Sequence, residues 1–216
     1  GFFEYCPNTS LDTQEIASSF DSAKKQVGEI HMVVFPECAL SEGDLVTITS
    51  TLGDGNRGRP YLLAGIRKPP DPEKKGSLGK NFLHFSGHLE RSIRSADAGH
   101  VQHKHHRWCL NDSQILQYHL GASLNPSKRW WEGIEVGERK LHFFMLNSWM
   151  GICPLICEDL ARQDPVAEVV RAVGPTLVIA LLFDGPQLNT RWPARYATVL
   201  ADDPGSSVLT VTSLGM

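Results

Sequence analysis

The sequence predicts a layered α/β fold, because strand-like segments alternate along the chain with segments of helical periodicity. Residues 177–183 (LVIALLF) form a continuous apolar run of strand length, which is typical of a strand buried on both faces. Residues 30–35 (IHMVVF) are rich in β-branched residues and predict another strand. Residues 12–27 repeat apolar side chains at helical spacing. Together these patterns indicate sheets covered by helices.

The composition fits one domain with a sizeable core. The chain has 216 residues, of which 41% are hydrophobic and 21% charged, as is usual for a globular protein. The net charge of −3 gives no reason for the whole chain to bind nucleic acid. No apolar run approaches the roughly 18 residues of a membrane span, and the N-terminus does not resemble a signal peptide. We therefore expect a cytoplasmic protein without a membrane partner.

The first helix and the strand after it have clear boundaries. Asp12 followed by Glu15 predicts a capping box. The buried face of this helix would consist of Ile16, Phe20, Ala23 and Val27. The strand at residues 30–35 runs into Pro36, which should end its ladder. Glu37 would then lie just past the strand tip, where functional carboxylates of α/β proteins lie, although a solvated loop residue is the alternative.

Further elements follow the same alternation. Asp164 suits an N-cap and Pro165 the first position of a helix, whose apolar face would consist of Val166, Val169, Val170 and Val173. A turn is expected at Asp54, Gly55 and Asn56. The other expected strands are residues 61–67, 81–85, 142–146 and 207–212, and the other expected helices are residues 42–50, 111–120 and 192–200.

Cys157 is the candidate nucleophile. It ends an apolar run at residues 150–156 and precedes two carboxylates, and a nucleophile is readily held at such a strand end. The alternative is a small apolar residue that closes a core strand. The five cysteines show no disulfide framework, so we expect free thiols. Pro154 within this strand removes one ladder hydrogen bond, which predicts an edge position or a bulge.

A histidine-rich segment between two predicted strands has three interpretations. As a metal site it would use His100, His103, His105, His106 and Cys109. Alternate residues of a strand point to opposite faces, however, so these side chains cannot all converge. As a basic patch it would bind an anion or nucleic acid. As a catalytic element it would supply Lys104 at a strand end.

Glu37, Lys104 and Cys157 each follow or end a predicted strand, in that order. The segments that contain them, VVFPE (33–37), Lys-x-His (104–106) and ICED (156–159), resemble the nitrilase, or carbon–nitrogen hydrolase, superfamily. The resemblance covers roughly residues 11–215. It implies a four-layer α-β-β-α sandwich, hydrolysis or transfer at non-peptide C–N bonds, and no organic cofactor.

The resemblance also implies residue roles. Glu37 would be the general base, Lys104 the electrostatic stabiliser and Cys157 the nucleophile. Lys104 and the backbone N–H of Glu158 would stabilise the developing negative charge. A second carboxylate often follows the lysine in this family, and here Asp112 or Glu132 is the candidate.

Other features concern the surroundings of the site and its partners. The separation of the lysine and cysteine segments is long for the family, which suggests an insertion near residues 111–140 that covers the pocket. The first strand of the family has only residues 2–6 as a counterpart. We expect residues 1–216 to form one nitrilase-like domain, incomplete at both ends or part of a longer chain.

The resemblance also implies the partners, which are a small amide or nitrile substrate and further copies of the chain. ARQDPV and RWPARYATVLADDPG resemble nitrilase-like domains attached to bacterial reverse-transcriptase-type defence proteins, which implies a covalently linked domain of that type. The alternative to an enzyme is a non-catalytic assembly or regulatory module of such a protein.

Overall fold

Two four-stranded sheets pack face to face in the computed structural model, and each is covered by helices on its outer side. The structure describes residues 1–8, 11–53, 60–87, 99–185 and 187–213. The turn predicted at Asp54 to Asn56 lies outside these residues. The four layers confirm the predicted α-β-β-α sandwich.

The first sheet has the strand order β2-β3-β4-β5. Its strands β2 and β3 are parallel, whereas β3 with β4 and β4 with β5 are antiparallel. Their bounds are β2 (Met32–Ser41), β3 (Tyr61–Lys68), β4 (Lys80–Ser86) and β5 (His100–His103). On β3, Leu62, Ala64 and Ile66 face the helices while Leu63 faces the other sheet, as the alternation of side chains along a strand requires.

The second sheet has the strand order β11-β10-β9-β8. β10 lies between β9 and β11 and is parallel to both, and β8 forms an antiparallel hairpin with β9. The bounds are β8 (Phe144–Met145), β9 (Gly151–Ile156), β10 (Leu177–Leu181) and β11 (Ser207–Val211). The central position of β10 confirms the strand predicted from its apolar run. Phe85 of β4 stacks on Phe144 of β8 across the two sheets, with ring centroids 4.1 Å apart.

Pro154 occupies a local edge of the second sheet, as its missing N–H predicts. It lies opposite Ile179 on the β10 side. On its other side β8 pairs with Gly151 and Ile152, before the proline is reached. The Pro154 carbonyl accepts a hydrogen bond from the Gln102 side chain at 3.0 Å, so β5 of the first sheet is tied to β9.

The helices form the outer layers. They are α1 (Thr13–Val27) and α2 (Glu42–Gly53) on the first sheet, α3 (Asp112–Gln117) in the connection after β5, and α4 (Glu168–Val173) and α5 (Trp192–Asp202) on the second sheet. No helix of the described ranges is both long and apolar enough to cross a membrane. Asp12 caps α1 by accepting hydrogen bonds from the N–H groups of Gln14 and Glu15. Val27, however, is 72% exposed, so its predicted place on the buried face is wrong.

The helix predicted from Asp164 begins later than expected. Asp164 has extended backbone angles within a wide turn at Gln163–Ala167, and α4 starts at Glu168. In this turn the N–H of Ala167 donates to the carbonyl of Arg162. Val166 and Val170 are buried while Val169 and Val173 are exposed. The buried face is thus narrower than predicted, and the expected place of Val169 and Val173 on it is wrong.

Pro36 does not end its strand, contrary to the prediction. β2 continues to Ser41, and its pairing with β3 shifts between Phe35 and Leu40. Residues 36–39 thus stand opposite the single residue Gly65, which is a β-bulge. Bulges of this kind re-aim side chains, and this one contains Glu37.

The N-terminal residues join neither large sheet. β1 (Phe2–Phe3) runs parallel to β7 (Trp130–Glu132), which pairs on its other side with β6 (Cys109–Leu110). The expectation that residues 2–6 supply the first strand of the sandwich is therefore wrong. This small third sheet draws the N-terminus and the segment after β5 together.

Gly65→Ala should destabilise the fold and displace Glu37. An added Cβ would meet the carbonyl oxygen of Pro36 and lie 2.5 Å from the Glu37 Cα, and backbone atoms cannot move away cheaply. Overpacking of this kind costs about 1–3 kcal/mol, which urea unfolding would measure as a lower midpoint. Gly43→Ala is the matched control, because its nearest neighbour would lie 3.7 Å away. Equal midpoints for both variants would contradict the assignment of Gly65 as a close-packing position.

Candidate active site

Four side chains from separate elements meet beside the two sheets. Glu37 comes from the bulge of β2, Lys104 follows β5, Glu132 ends β7, and Cys157 follows β9. The exposed fractions of Glu37, Lys104 and Cys157 are 2%, 2% and 5%. The three residues predicted to act together are thus adjacent and shielded from water.

Lys104 is the centre of a buried charge cluster. Its Nζ lies 2.8 Å from Glu37 Oε1 and 2.6 Å from Glu132 Oε2. The Asn81 amide bridges the same two carboxylates, at 2.7 Å from Glu37 and 2.8 Å from Glu132. Glu132 is therefore the second carboxylate beside the lysine, whereas Asp112 lies exposed in the first turn of α3.

The cluster determines its own protonation. Burial works against the charge of Lys104, but the negative charges of Glu132 and Glu37 outweigh it and raise the pKa of the amine well above its usual range. Burial raises the pKa of Glu37, the charge of Lys104 opposes this, and the charge of Glu132 adds to it. Lys104 is thus a fixed positive charge at neutral pH, and Glu37 is a stronger base than an exposed glutamate.

Cys157 begins a 3₁₀ turn at Cys157–Ala161 directly after β9. Its φ of +41° is rare for a residue with a side chain, and it places the residue on a sharp strand-to-helix corner. Burial, then the charge of Glu37 and a hydrogen bond with its side chain, raise the pKa of the Cys157 thiol well above the usual range. Lys104 and a hydrogen bond with the Phe183 backbone act in the opposite direction. The resting residue is therefore a neutral thiol that needs a base.

Glu37 has an oxygen available for that purpose. Oε1 accepts hydrogen bonds from both Asn81 and Lys104. Oε2 is buried and accepts no hydrogen bond from a nitrogen or oxygen donor of the described residues, whereas the Cys157 thiol interacts directly with the Glu37 side chain. A buried oxygen without a donor is costly unless it has a function.

Asp159, whose role the sequence did not reveal, fixes the lysine segment to the cysteine segment. It is fully buried. Its oxygens accept the backbone N–H of His105 at 3.1 and 3.2 Å, and one of them lies 2.8 Å from His106 Nδ1. His105 directly follows Lys104, and Asp159 lies two residues after Cys157. The same aspartate therefore orients both reactive residues.

The side chains of the histidine-rich segment contact different parts of the protein. His103 packs on Phe82, His105 Nε2 lies 3.1 Å from the Lys140 carbonyl, and His106 contacts Asp159. Within the described ranges, no three histidine, cysteine, aspartate or glutamate residues are arranged to hold a metal ion. The hypothetical ligand set His100, His103, His105, His106 and Cys109 is not assembled.

Two cavities open onto the reactive residues. The amine cavity, as we call it below, has a volume of about 290 Å³ and is lined by Glu37, Lys104, Asn81 and Glu132 together with residues 3–7. The acyl cavity has a volume of about 280 Å³ and contains Cys157. Trp108 and Phe183 line both. The segment suspected as an insertion contributes to both walls, through Gln114 and Tyr118 on one side and Glu132 on the other.

The acyl cavity has a polar cluster of its own. Asp184 is buried and accepts hydrogen bonds from Tyr118 Oη at 2.6 Å and from the Gly185 N–H at 2.8 Å. Arg191 forms an ion pair with the same carboxylate and donates to the Tyr118 oxygen at 3.2 Å. Burial, followed by the hydrogen bond and charge of Asp184, raises the pKa of Tyr118 to about 12. Tyr118 therefore stays protonated at neutral pH.

Several solved structures have the same fold. Nit3 of Saccharomyces cerevisiae, a member of branch 10 of the nitrilase superfamily, aligns with a TM-score of 0.60 at 14% identity, over 92% of this chain and 68% of Nit3. A nitrilase-superfamily amidase of Nesterenkonia AN1 aligns with a TM-score of 0.59 at 13% identity, over 94% of this chain and 71% of the amidase. These likenesses confirm the nitrilase-like fold predicted from the three segments.

A longer protein also contains this fold. A glutamine-dependent NAD+ synthetase of Acinetobacter baumannii aligns with a TM-score of 0.52 at 13% identity, over 88% of this chain. The chain spans only 32% of the length of that synthetase. No protein-family model matches the chain, and no curated protein matches it at a significant level in sequence.

Lys104→Met should destabilise the protein by about 3–5 kcal/mol at neutral pH, because it leaves two buried carboxylates without their counter-charge. The loss should be smaller at pH 5. Lys104 lowers the pKa of Glu37, so without it this carboxyl is protonated more readily as the pH falls. Urea unfolding at both pH values measures this.

Lys140→Met is the matched control for that variant. Lys140 also pairs with a glutamate, but its side chain is 61% exposed against 2% for Lys104. Exposed pairs contribute at most about 1 kcal/mol. A comparable loss of stability in both variants would show that the buried charge of Lys104 stabilises the protein no more than an exposed ion pair does.

Proposed function

We propose that this chain, which has the fold of the nitrilase superfamily, is a cysteine-dependent hydrolase of non-peptide C–N bonds. The observation that carries the proposal is the buried assembly of a neutral thiol, a base with an unpartnered oxygen and a fixed positive charge. An amide carbonyl is the group that needs all three. Attack on it requires a nucleophile, removal of the thiol proton and stabilisation of an oxyanion.

Acylation begins with proton transfer from Cys157 to Glu37. The thiol pKa is raised by burial, so almost no thiolate forms before substrate binds. Glu37 has a raised pKa of its own, which brings the affinities of the two groups for the proton closer together. Because Oε1 is held by Asn81 and Lys104, Oε2 is the oxygen that accepts the proton.

The negative charge then moves to the carbonyl oxygen of the substrate. Lys104 supplies the positive charge, and the backbone N–H of Glu158, in the first turn after Cys157, supplies a hydrogen-bond donor. The first N–H groups of a helical turn have no partner inside that turn. Donors placed in this way each lower the barrier by about 3–4 kcal/mol.

The C–N bond breaks when Glu37 returns the proton to the leaving nitrogen. A thioester on Cys157 remains. Glu37 then takes a proton from water, the hydroxide attacks the thioester carbonyl, and the carboxylic acid leaves as Cys157 regains its proton. Glu132 and Asn81 do not meet the substrate carbon in this scheme. They hold Lys104 and Glu37 in position through the short contacts given above.

Cys157→Ala should abolish turnover of amides while the protein stays folded. Intact-protein mass spectrometry of the unmodified chain should detect an acyl adduct that this variant lacks. Acrylamide is a second probe, since it adds to the active-site cysteine in a variant of the Nesterenkonia amidase. Cys153→Ala is the control, because Cys153 is a buried cysteine of the same strand outside both cavities.

Unchanged turnover in Cys157→Ala would overturn the proposal. Absence of any acyl or acrylamide adduct on the unmodified chain would instead favour the non-catalytic assembly module. The two outcomes are distinct, because the first requires measurable activity and the second requires none.

Glu132→Gln should move the acid limb of the pH profile to lower pH. Glu37 must be ionised to accept a proton, so activity falls as the pH drops through its pKa, which lies above the ordinary 4.5. The charge of Glu132 raises that pKa, and its removal therefore lowers it. The measurement is kcat/KM against pH, which reports groups of the free enzyme.

Glu138→Gln is the control for the pH experiment, because Glu138 lies exposed beside Lys140. Its acid limb should coincide with that of the unmodified chain. An acid limb that stays in place or rises in Glu132→Gln would contradict the role of Glu37 as the titrating base.

A further inference from the structure

We infer that the substrate is an N-substituted amide with a polar acyl group and an apolar amine, which are bound in separate cavities. This inference rests on the proposed function and deepens it. It excludes a primary amide or nitrile, which would release ammonia, as the preferred substrate. The geometry that carries it is the division of the reactive residues between two cavities.

The nucleophile and the base open into different spaces. Cys157 and Glu158 line the acyl cavity, whereas Glu37 and Lys104 line the amine cavity. Trp108 and Phe183 line both cavities, and the Phe183 backbone hydrogen-bonds the Cys157 sulfur. Cys157 in one cavity also interacts directly with the Glu37 side chain in the other, so the two cavities adjoin at the sulfur and the carboxylate.

The chemistry assigns each half of the substrate to one cavity. The carbonyl carbon must lie next to the Cys157 sulfur, because the C–S bond forms there. The amide nitrogen must face Glu37, because that carboxyl returns the proton as the C–N bond breaks. The acyl group thus extends into the cavity with Cys157, and the substituent on nitrogen extends into the cavity with Glu37.

The amine cavity is much larger than ammonia needs. Its volume is about 290 Å³, which is roughly ten times the 30 Å³ share of one water molecule in the liquid. Apolar side chains form much of its wall, among them Phe3, Tyr5, Pro70 and Ile134. An alkyl or aryl substituent would fill this space and bury apolar surface.

The charges around the same cavity are largely balanced. Arg67, Lys68 and Lys80 line it together with Lys104, and Glu4 lines it as well. Glu37 and Glu132 are already paired with Lys104. Lys68 and Lys80 pair with Glu42 and Glu135 at exposed positions. The preference for an uncharged alkyl or aryl group therefore comes from the apolar side chains of the wall.

The acyl cavity is more polar than the amine cavity, although Trp108, Phe183, Trp192 and Tyr196 also line it. Tyr118, Asp184 and Arg191 form the hydrogen-bonded cluster described above, and Gln114 and Gln117 add two amide groups. An acyl group with a hydroxyl or amide can exchange hydrogen bonds with this wall. An alkyl acyl group could form none of these hydrogen bonds.

The balanced reaction is hydrolysis without a further reactant. The amide R–CO–NH–R′ and the thiol give the thioester and H₂N–R′, as the thiol proton passes through Glu37 to nitrogen. Water then converts the thioester to R–COOH and restores the thiol. R is the polar group in the acyl cavity, and R′ is the apolar group in the amine cavity.

The test compares three amides on the unmodified full chain: lactamide, N-benzyl-lactamide and N-benzylbutanamide. We expect kcat/KM for N-benzyl-lactamide to exceed both others at least tenfold. Equal or faster cleavage of lactamide overturns the inference and leaves the proposed function intact. If none of the three acylates Cys157 by intact-protein mass spectrometry, the proposed function falls together with the inference.

Variants of the amine cavity test where the benzyl group binds. Ile134→Trp should reduce the ratio of kcat/KM between N-benzyl-lactamide and lactamide at least tenfold, because the added ring occupies the same space. If Ile134→Trp fails to fold, Pro70→Trp serves as the alternative variant, because it fills the same cavity from a loop. Val46→Trp is the control, since Val46 is exposed on α2 away from both cavities. An unchanged ratio in the cavity variants overturns the assignment.

Discussion

The site depends on one buried positive charge. Lys104 lies between Glu37 and Glu132, and its side chain is almost fully buried, so that its charge would be costly without these partners. Lys104 keeps its charge because Glu132 and Glu37 outweigh the effect of burial, and Lys104 in turn favours the ionised form of Glu37. The two carboxylates also fix the position of the Lys104 amine, just beyond the end of β5. A charge fixed in this way needs no rearrangement when an oxyanion forms beside it.

The fold supplies this cluster through departures from regular structure. The bulge of β2 turns Glu37 inward, and Gly65 is the neighbour that leaves room for it. The corner at Cys157 is another departure, with a positive φ directly after a fully buried strand. Asp159 then binds the lysine segment to this corner. The regular sheets make the site rigid, and the irregular positions orient its side chains.

The sequence predicted the sheets and most helices, and it singled out Glu37, Lys104 and Cys157, which the fold brings together, because strand periodicity and short local segments encode these features. It did not predict the small N-terminal sheet, since β1 is two residues long and its partner lies more than a hundred residues away. It left Asp112 and Glu132 as alternatives, because only the tertiary pairing of β7 brings Glu132 to Lys104. Asn81, Asp159 and the Asp184 cluster act through long-range contacts that leave no local pattern. The homo-oligomer and the linked reverse-transcriptase-type domain stay predictions.

In the proposed mechanism, burial of the thiol beside Glu37 prevents a thiolate from forming before substrate binds. A thiolate formed in advance beside Glu37 would add a third negative charge to a cluster with one positive charge, and burial would penalise it. Transfer of the proton to Glu37 moves a negative charge but adds none. The total charge of the cluster would therefore be the same before and after the thiol is activated. Attack would then move that charge onto the substrate oxygen, so this scheme makes the thiol reactive only when a carbonyl lies between the sulfur and the carboxylate.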